Sequence, residues 1–166
     1  MSAISNATCP VCRTSEIISG KWTLLVIRDL ADGSRRFCEL ERSLDGISPR
    51  TLSLRLRALE ECGVVERHTY PEVPPRVEYA LTEKGKALWP VLVTLRRWGD
   101  EWVVGKGNEA VAMLHGPCGA STTAVLTCDH CGEALQPRDV RTDAPAQLEA
   151  ALQQAVADRM TASSAV

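Results

Sequence analysis

The spacing of apolar residues changes period several times along the chain, and each change predicts a new element. Residues 21–30, Lys-Trp-Thr-Leu-Leu-Val-Ile-Arg-Asp-Leu, are apolar on nearly every side of a helix, the pattern of a segment at the centre of a domain. Before it, residues 9–19 predict a short helix that stops near Gly20; after it, Asp32-Gly33 predicts a turn. Arg35, Arg36 and Phe37 suit a short strand, and residues 39–44 a short helix. An Asp45-Gly46 turn leads to a second helix with clear ends: Ser48 can cap it, Pro49 suits its first position, and Gly63 can take the left-handed conformation that stops it. Leu52, Leu56 and Leu59 share the inward face of this helix at about 100° per residue. Arg50, Leu54 and Arg57 fall on the opposite face, flanked by Thr51, Ser53 and Ala58.

After Gly63 the period drops to two. Residues 64–70 and 76–81 read as strands, with Val77, Tyr79 and Leu81 on one face. The intervening Pro71-Glu72-Val73-Pro74-Pro75 cannot continue a ladder, because proline lacks the N–H donor, so the two strands form a hairpin with a stiff tip. Thr82 caps a last helix whose apolar stripe, Leu88, Val91, Leu92, Leu95, Trp98 and Trp102, runs to about Val104. Pro90 lies inside the stripe and is expected to bend it. The stripe is longer than a small domain needs, which suits pairing with a second copy through Leu88, Leu92, Leu95, Trp98 and Trp102; a helix folded back on its own core is the competing reading. The predicted fold is mainly α with a small β-hairpin (α+β), a winged helix-turn-helix with a long dimerisation helix.

The composition, 45% hydrophobic and 24% charged residues, is that of an ordinary soluble globular protein. A formal net charge of -2 means that any nucleic-acid binding relies on a local basic surface. The first residues lack a basic start followed by an apolar run, and no stretch is apolar for long enough to span a bilayer, so a cytoplasmic protein without a membrane partner is expected. No Ser-His-Asp order, phosphate-binding glycine loop or catalytic metal spacing points to an enzyme.

A helix buried by leucines and armed outward with arginine and small hydroxyls suits the major groove of double-stranded DNA. Arg50, Thr51 and Leu54, on the first turns, are the candidates for base edges; Ser48, Ser53, Arg55 and Arg57, with His68 and Arg76 in the wing, are the candidates for phosphates. A surface helix whose arginines face water, or a winged helix that binds a protein instead of DNA, would carry the same pattern.

Several motifs occur in order over roughly residues 9–105. They are Cys9-Pro10-Val11, Gly20-Lys21-Trp22-Thr23-Leu24-Leu25, Arg36-Phe37 with Glu39-Leu40, Gly46-Ile47-Ser48, Leu52 with Arg55-Leu56 and Leu59-Glu60, Gly63-Val64-Val65, Pro74-Pro75-Arg76-Val77-Glu78-Tyr79, and Leu81-Thr82 with Gly85. Together they resemble the signature of HxlR-type winged-helix transcriptional regulators. The resemblance implies a bacterial, homodimeric DNA-binding regulator related in fold to the MarR-like group, acting on a palindromic operator. It also implies a redox-sensing role for Cys9, since members of the family often carry an N-terminal cysteine and in some it senses oxidants or electrophiles. An unreactive Cys9 beside the dimer interface is the alternative, and the inducer is not legible.

Seven cysteines in a reducing compartment are better read as thiols, metal ligands or switches than as a disulfide scaffold. Cys12 makes a Cys-x-x-Cys pair with Cys9, but the strand and βαβ context of a thioredoxin-like enzyme are missing. A second constellation, His115-Gly-Pro-Cys118-Gly and Cys128-Asp-His-Cys131-Gly, repeats the form ligand, two residues, cysteine, glycine. His115, Cys118, Cys128 and Cys131 make the four ligands of a closed, structural zinc site in a zinc-ribbon-like segment, with His130 able to replace His115. Reduced cysteines in a flexible hairpin are the alternative. Cys38 and Cys62 are expected to be small buried residues. The resulting division is a DNA-binding and dimerisation domain over residues 9–107, a zinc-binding hairpin over 112–135, and a linker with a C-terminal helix or loose tail over 136–166. The stripe that would form this last helix is Leu148, Leu152, Val156 and Met160.

Overall fold

The structure is a computed structural model that describes residues 9–73, 75–105 and 112–140. It divides into two compact units: residues 17–125, and a second that includes residues 9–16 and 126–140. Pro74 at the wing tip and the apolar stripe of residues 148–160 lie outside the described residues. Among the described residues no helix is long and apolar enough to cross a membrane.

The larger unit is built on α2 (Thr23–Ala31); α1 (Pro10–Ile18) precedes it in the chain and belongs mostly to the second unit. Thr23, Val26, Ile27, Asp29 and Leu30 of α2 are buried, as its all-round apolar sequence requires. Strand β1 (Arg35–Arg36) leads directly into α3 (Phe37–Ser43). The helix begins two residues earlier than the sequence pattern predicts, because the Glu39 carboxylate accepts the Arg36 backbone N–H at 2.7 Å and holds the first turn. The buried carboxylate of Asp29 accepts from Ser43 Oγ, and its backbone carbonyl accepts from Arg35 Nε at 2.6 Å, so one residue ties α2, β1 and α3 together.

Helix α4 (Pro49–Glu61) has the ends its sequence specifies. Ser48 Oγ accepts the Thr51 N–H at 3.1 Å, and Gly63, at φ +67°, lets the Val64 N–H return to the Leu59 carbonyl at 2.9 Å. Leu52, Leu56 and Leu59 are buried in one core with Val26, Ile27, Leu30, Leu40, Leu44, Val64, Val65 and Leu81.

Strands β2 (Val65–Tyr70) and β3 (Arg76–Leu81) form the expected hairpin, and β1 joins it to give a three-stranded antiparallel sheet of order β1-β3-β2. Arg35 faces Tyr79 and Arg36 faces Glu78 across the β1-β3 pair. Thr82 then caps the four-residue α5 (Glu83–Lys86), its hydroxyl accepting the Gly85 N–H at 3.1 Å.

The predicted long helix is instead three pieces. After α5 the chain restarts as α6 (Trp89–Gly99) and ends in a π-helical turn over Asp100–Val104. Pro90 does not bend a helix interior. It sits in the first turn of α6, where an N–H would lack a helical partner in any case. Leu88 and Leu92 are partly buried and pack against the domain core, whereas Leu95, Trp98 and Trp102 are exposed. The stripe therefore serves its own core at one end and leaves an uncovered apolar surface at the other.

Candidate nucleic-acid interface

On α4 the leucine face is shut into the core, so the opposite face must point outward. Arg50, Ser53, Leu54 and Arg57 are all exposed and lie within about 100° of the helix circumference. Leu54 is 59% exposed although it is surrounded by good core-forming sequence. An outward leucine between arginines is costly in water and useful against the methyl groups of thymine. Arg57 Nε lies 2.9 Å from Glu61 Oε1, with both side chains well solvated; so exposed an ion pair is easily exchanged for a phosphate.

Two of the predicted contacts have local structural duties. The Ser48 and Thr51 hydroxyls lie 2.8 Å apart at the cap, so part of their hydrogen-bonding capacity is spent on starting the helix. Arg55 is half-buried on a different side of α4 from Arg50, and its guanidinium covers Gly20. A Cβ at Gly20 would stand 2.9 Å from Arg55 Cζ, and φ +110° there suits only glycine, so the connection before α2 is shaped around this arginine. Arg55 thus stands apart from the outward cluster of Arg50, Ser53, Leu54 and Arg57.

The wing holds a charge network that sequence reasoning missed. Glu78, on the central strand β3, is only 8% exposed and is met by Arg76, whose Nε donates at 2.8 Å, by Ser34 Oγ at 3.4 Å and by Arg36 Nε at 3.9 Å. The Arg76 hydrogen bond, helped by the nearby Arg36 charge, holds the Glu78 carboxyl below its ordinary range. Arg76 also lies 3.8 Å from Glu72 and 5.3 Å from the Tyr70 ring centroid, so its guanidinium is oriented from three sides at the base of the tip. His68 faces Glu78 across the β2-β3 pair, and its Nε2 lies 3.2 Å from Glu66. Period-two spacing places Glu78 on the face opposite Tyr79 and Leu81; only the β1 pairing, which sets Arg36 beside it, reveals the partners that meet its carboxylate there.

Removing Arg76 alone would leave the buried Glu78 with only the longer contacts to Ser34 and Arg36. Arg76→Ala is therefore expected to lower the melting temperature as well as any DNA affinity. Adding Glu78→Gln should return much of the stability and none of the affinity, which melting curves and DNA titrations of the single and double variants would separate. The sign with pH follows from the depressed carboxyl: its contribution is complete above the ordinary carboxylate range and is lost as pH falls through the lower folded value.

Each cysteine group can be described by itself. Cys9 occupies the cap position of α1: its carbonyl accepts from Arg13 N at 3.0 Å, and its sulfur accepts the Cys12 N–H at 3.5 Å, the part normally played by a serine oxygen. Hydrogen bonds from the Cys12 backbone and thiol lower the Cys9 pKa, and the same sharing raises that of Cys12. Within the pair the hydrogen bonding favours the thiolate of Cys9 over that of Cys12. Cys38 and Cys62 are exposed, not buried as the sequence suggested. Cys38, two residues before the buried Leu40, falls on nearly the opposite side of α3, and Cys62 sits at the α4 C-cap beyond the last inward leucine. In the second constellation His115 Nδ1 lies 3.2 Å from Cys118 Sγ. The Cys128 pKa is lowered by the backbone N–H groups of Cys131 and His130. Among the described residues no group of three or more His, Cys, Asp or Glu side chains is gathered for a metal ion; the donors stand in pairs.

Comparison with known proteins agrees with this arrangement. Residues 17–106 match the family model of the HxlR-like helix-turn-helix. An uncharacterized HTH-type transcriptional regulator of Mycobacterium tuberculosis is 42% identical over 130 residues, 78% of this chain and 82% of that protein. The crystal structure of PA1607 superposes with a TM-score of 0.76 at 32% identity, covering 84% of this chain and 96% of that one. The redox regulator HypR in its reduced form aligns with a TM-score of 0.53 at 43% identity, covering 55% of this chain and 90% of that one. With the family match spanning the helix pair and the wing, the chain belongs to the HxlR-like helix-turn-helix family and is a transcriptional regulator of the HxlR and MarR type.

Proposed function

We propose that this regulator binds a near-palindromic operator as a homodimer and that its affinity for DNA responds to the state of Cys9. The observation that carries the DNA reading is the outward face of α4, where Arg50, Ser53, Leu54 and Arg57 are exposed together beside a wing whose Arg76 is held in place. In this reading Arg50, Thr51 and Leu54 read base edges, while Ser48, Ser53, Arg55, Arg57, His68 and Arg76 approach phosphates. The homodimer is supported by the uncovered surface of Leu95, Trp98, Trp102, Val103 and Val104, each at least 48% exposed, at the end of α6 and in the turn after it. Two-fold pairing through that surface would set two recognition helices roughly 34 Å apart, on successive turns of the major groove.

Mobility shifts on fragments from around its own gene, titrated with salt, test the reading together with sedimentation of the free protein. One fragment should bind at least roughly a thousandfold more tightly than random DNA, as a complex with two chains. Equal affinity for all fragments, or a monomer on DNA, would defeat it.

The thiol reading rests on the cap geometry of Cys9 and on the likeness to HypR, a redox regulator solved in both reduced and oxidised forms. At neutral pH iodoacetamide is expected to alkylate Cys9 several times faster than Cys12, as mass spectrometry of digested protein would measure, because the thiolate is the reacting species. Alkylation or peroxide treatment should then weaken operator binding at least about tenfold in the native protein and leave Cys9→Ser unaffected. Unchanged binding after complete Cys9 modification would end this part of the proposal.

A further inference from the structure

Cys9 and Cys12 stand at the two positions of a helix start whose side chains meet. Cys9 caps α1 and Cys12 is its third residue, the places between which a capping box exchanges its hydrogen bonds. Here both side chains end in sulfur. The Cys9 sulfur accepts the Cys12 backbone N–H at 3.5 Å, and the Cys12 thiol donates to the same sulfur, so the two sulfurs are neighbours in the reduced protein. Pro10, the first residue of the helix, fixes the backbone between them. Both cysteines are half-buried, which leaves them open to a small oxidant.

The surroundings of the two thiols also set an order of reaction. Hydrogen bonds from the Cys12 backbone and thiol favour the Cys9 thiolate, so Cys9 meets an electrophile first. Cys12 is held back by its hydrogen bond to Cys9, then by burial and by the Cys9 and Glu16 charges. Once Cys9 is oxidised its thiolate charge is gone, and the main restraint on Cys12 goes with it. Geometry permits the two to join. Residues three apart inside a helix hold their Cβ atoms about 5–6 Å apart, beyond the roughly 3.5–4.5 Å of a disulfide. Cys9 lies just outside the helix, so its own backbone can close that gap without breaking a helical turn.

Resting on Cys9 as the redox-responsive thiol, we propose that Cys12 is its resolving partner and that the oxidised regulator carries an intrachain Cys9–Cys12 disulfide. The oxidant is a hydroperoxide. The Cys9 thiolate attacks its terminal oxygen, the O–O bond breaks, the leaving alkoxide or hydroxide takes a proton from solvent, and Cys9 becomes a sulfenic acid. The Cys12 thiolate then attacks the Cys9 sulfur; the S–S bond forms, the S–O bond breaks, and the leaving hydroxide is protonated to water. In sum two thiols lose two electrons and two protons, and the hydroperoxide is reduced. The disulfide shields Cys9 from further oxidation and is reopened by thiol reductants, so each chain switches and resets without a covalent link to its partner.

Arg13 is the first basic residue of the chain, so trypsin releases both thiols in one peptide, residues 1–13. The reduced full-length protein is treated with hydrogen peroxide and free thiols are blocked with iodoacetamide; the digest is analysed by mass spectrometry and the undigested chain on a non-reducing gel. In more than about four-fifths of the chains the peptide is expected unalkylated and two hydrogens lighter than the dithiol form, the chain should run as a monomer, and dithiothreitol should return both thiols. In Cys12→Ser, Cys9 should instead stay as a sulfenic acid trapped by dimedone and pass under excess peroxide to a sulfinic acid, so that dithiothreitol restores less than about a fifth of the Cys9 thiol. A Cys9 disulfide to a second chain, to Cys128 or to any other cysteine, or oxidation of Cys9 that is equally reversible in Cys12→Ser, overturns the proposal. Operator titrations of the same samples keep the two readings apart. A complete Cys9–Cys12 disulfide with unchanged affinity defeats DNA control by Cys9 and leaves the pairing standing, whereas affinity lost with Cys9 bonded elsewhere does the reverse.

Discussion

Gly85→Ala is expected to lower the melting temperature by roughly 10–20 °C. A Cβ at Gly85 would stand 2.2 Å from the Val64 carbonyl oxygen, 3.1 Å from Leu81 Cδ2 and 3.2 Å from Leu81 Cβ. The Val64 oxygen cannot move aside on its own. It accepts from Thr82 N at 3.1 Å and from Thr82 Oγ1 at 3.2 Å, and the same Thr82 hydroxyl caps α5 through Gly85 N. A single methyl group therefore pushes on the entry to β2, the end of β3 and the start of α5 at once. Overpacking of this kind costs about 2–3 kcal/mol, and about 4–8 °C is lost per kcal/mol in a domain near this size. Lys86→Ala, one position on and exposed, should change stability by less than about 0.5 kcal/mol. Thermal melts of the two variants make the comparison, and a Gly85→Ala protein within 3 °C of the parent would show that the α5 junction yields.

The junction also marks where local sequence stops determining the structure. Ser48, Pro49 and Gly63 signal the ends of α4 by rules that act within a few residues, and the helix found has those ends. The leucine face of α4 was legible for the same reason, and so were the arginines opposite it. Pro90 escapes the expected bend because the rule for proline depends on where the helix starts, and α6 starts after Leu88, whose backbone is already helical and whose side chain offers no capping hydrogen bond to announce the start. Strand β1 has two residues and no period of its own; it exists because Arg35 and Arg36 find Tyr79 and Glu78 more than forty residues away. Until that pairing is known, Glu78 looks like an outward charge on an alternating strand, and the support it gives to Arg76 cannot be seen. Gly20 is a similar case, since only the folded chain brings Arg55 over it. The readable part of the site is the surface that would touch DNA, and the hidden part is what holds that surface in position.

The first turn of α4 is where the two parts can be separated by experiment. Arg50→Ala is expected to weaken binding to the operator by roughly 10–100-fold, since a bidentate arginine on guanine is worth about 1–3 kcal/mol of discrimination. Binding to random DNA should fall by no more than about threefold, because a single phosphate contact at most is lost. Arg50 is exposed, follows the cap and Pro49, and lies away from the core face of Leu52 and Leu56, so its removal leaves the fold intact. Arg57→Ala is the comparison: its side chain lies a further two turns along the same outward face, paired only loosely with Glu61. It should weaken operator and random DNA by a similar factor and reduce the slope of log affinity against log salt by about one unit. Anisotropy titrations of both variants, on both DNAs and at several salt concentrations, distinguish a base-reading arginine from a phosphate-binding one. If Arg50→Ala loses affinity equally for operator and random DNA, Arg50 is a phosphate anchor, and the reading of sequence must pass to Leu54, the exposed apolar residue one turn further along that face.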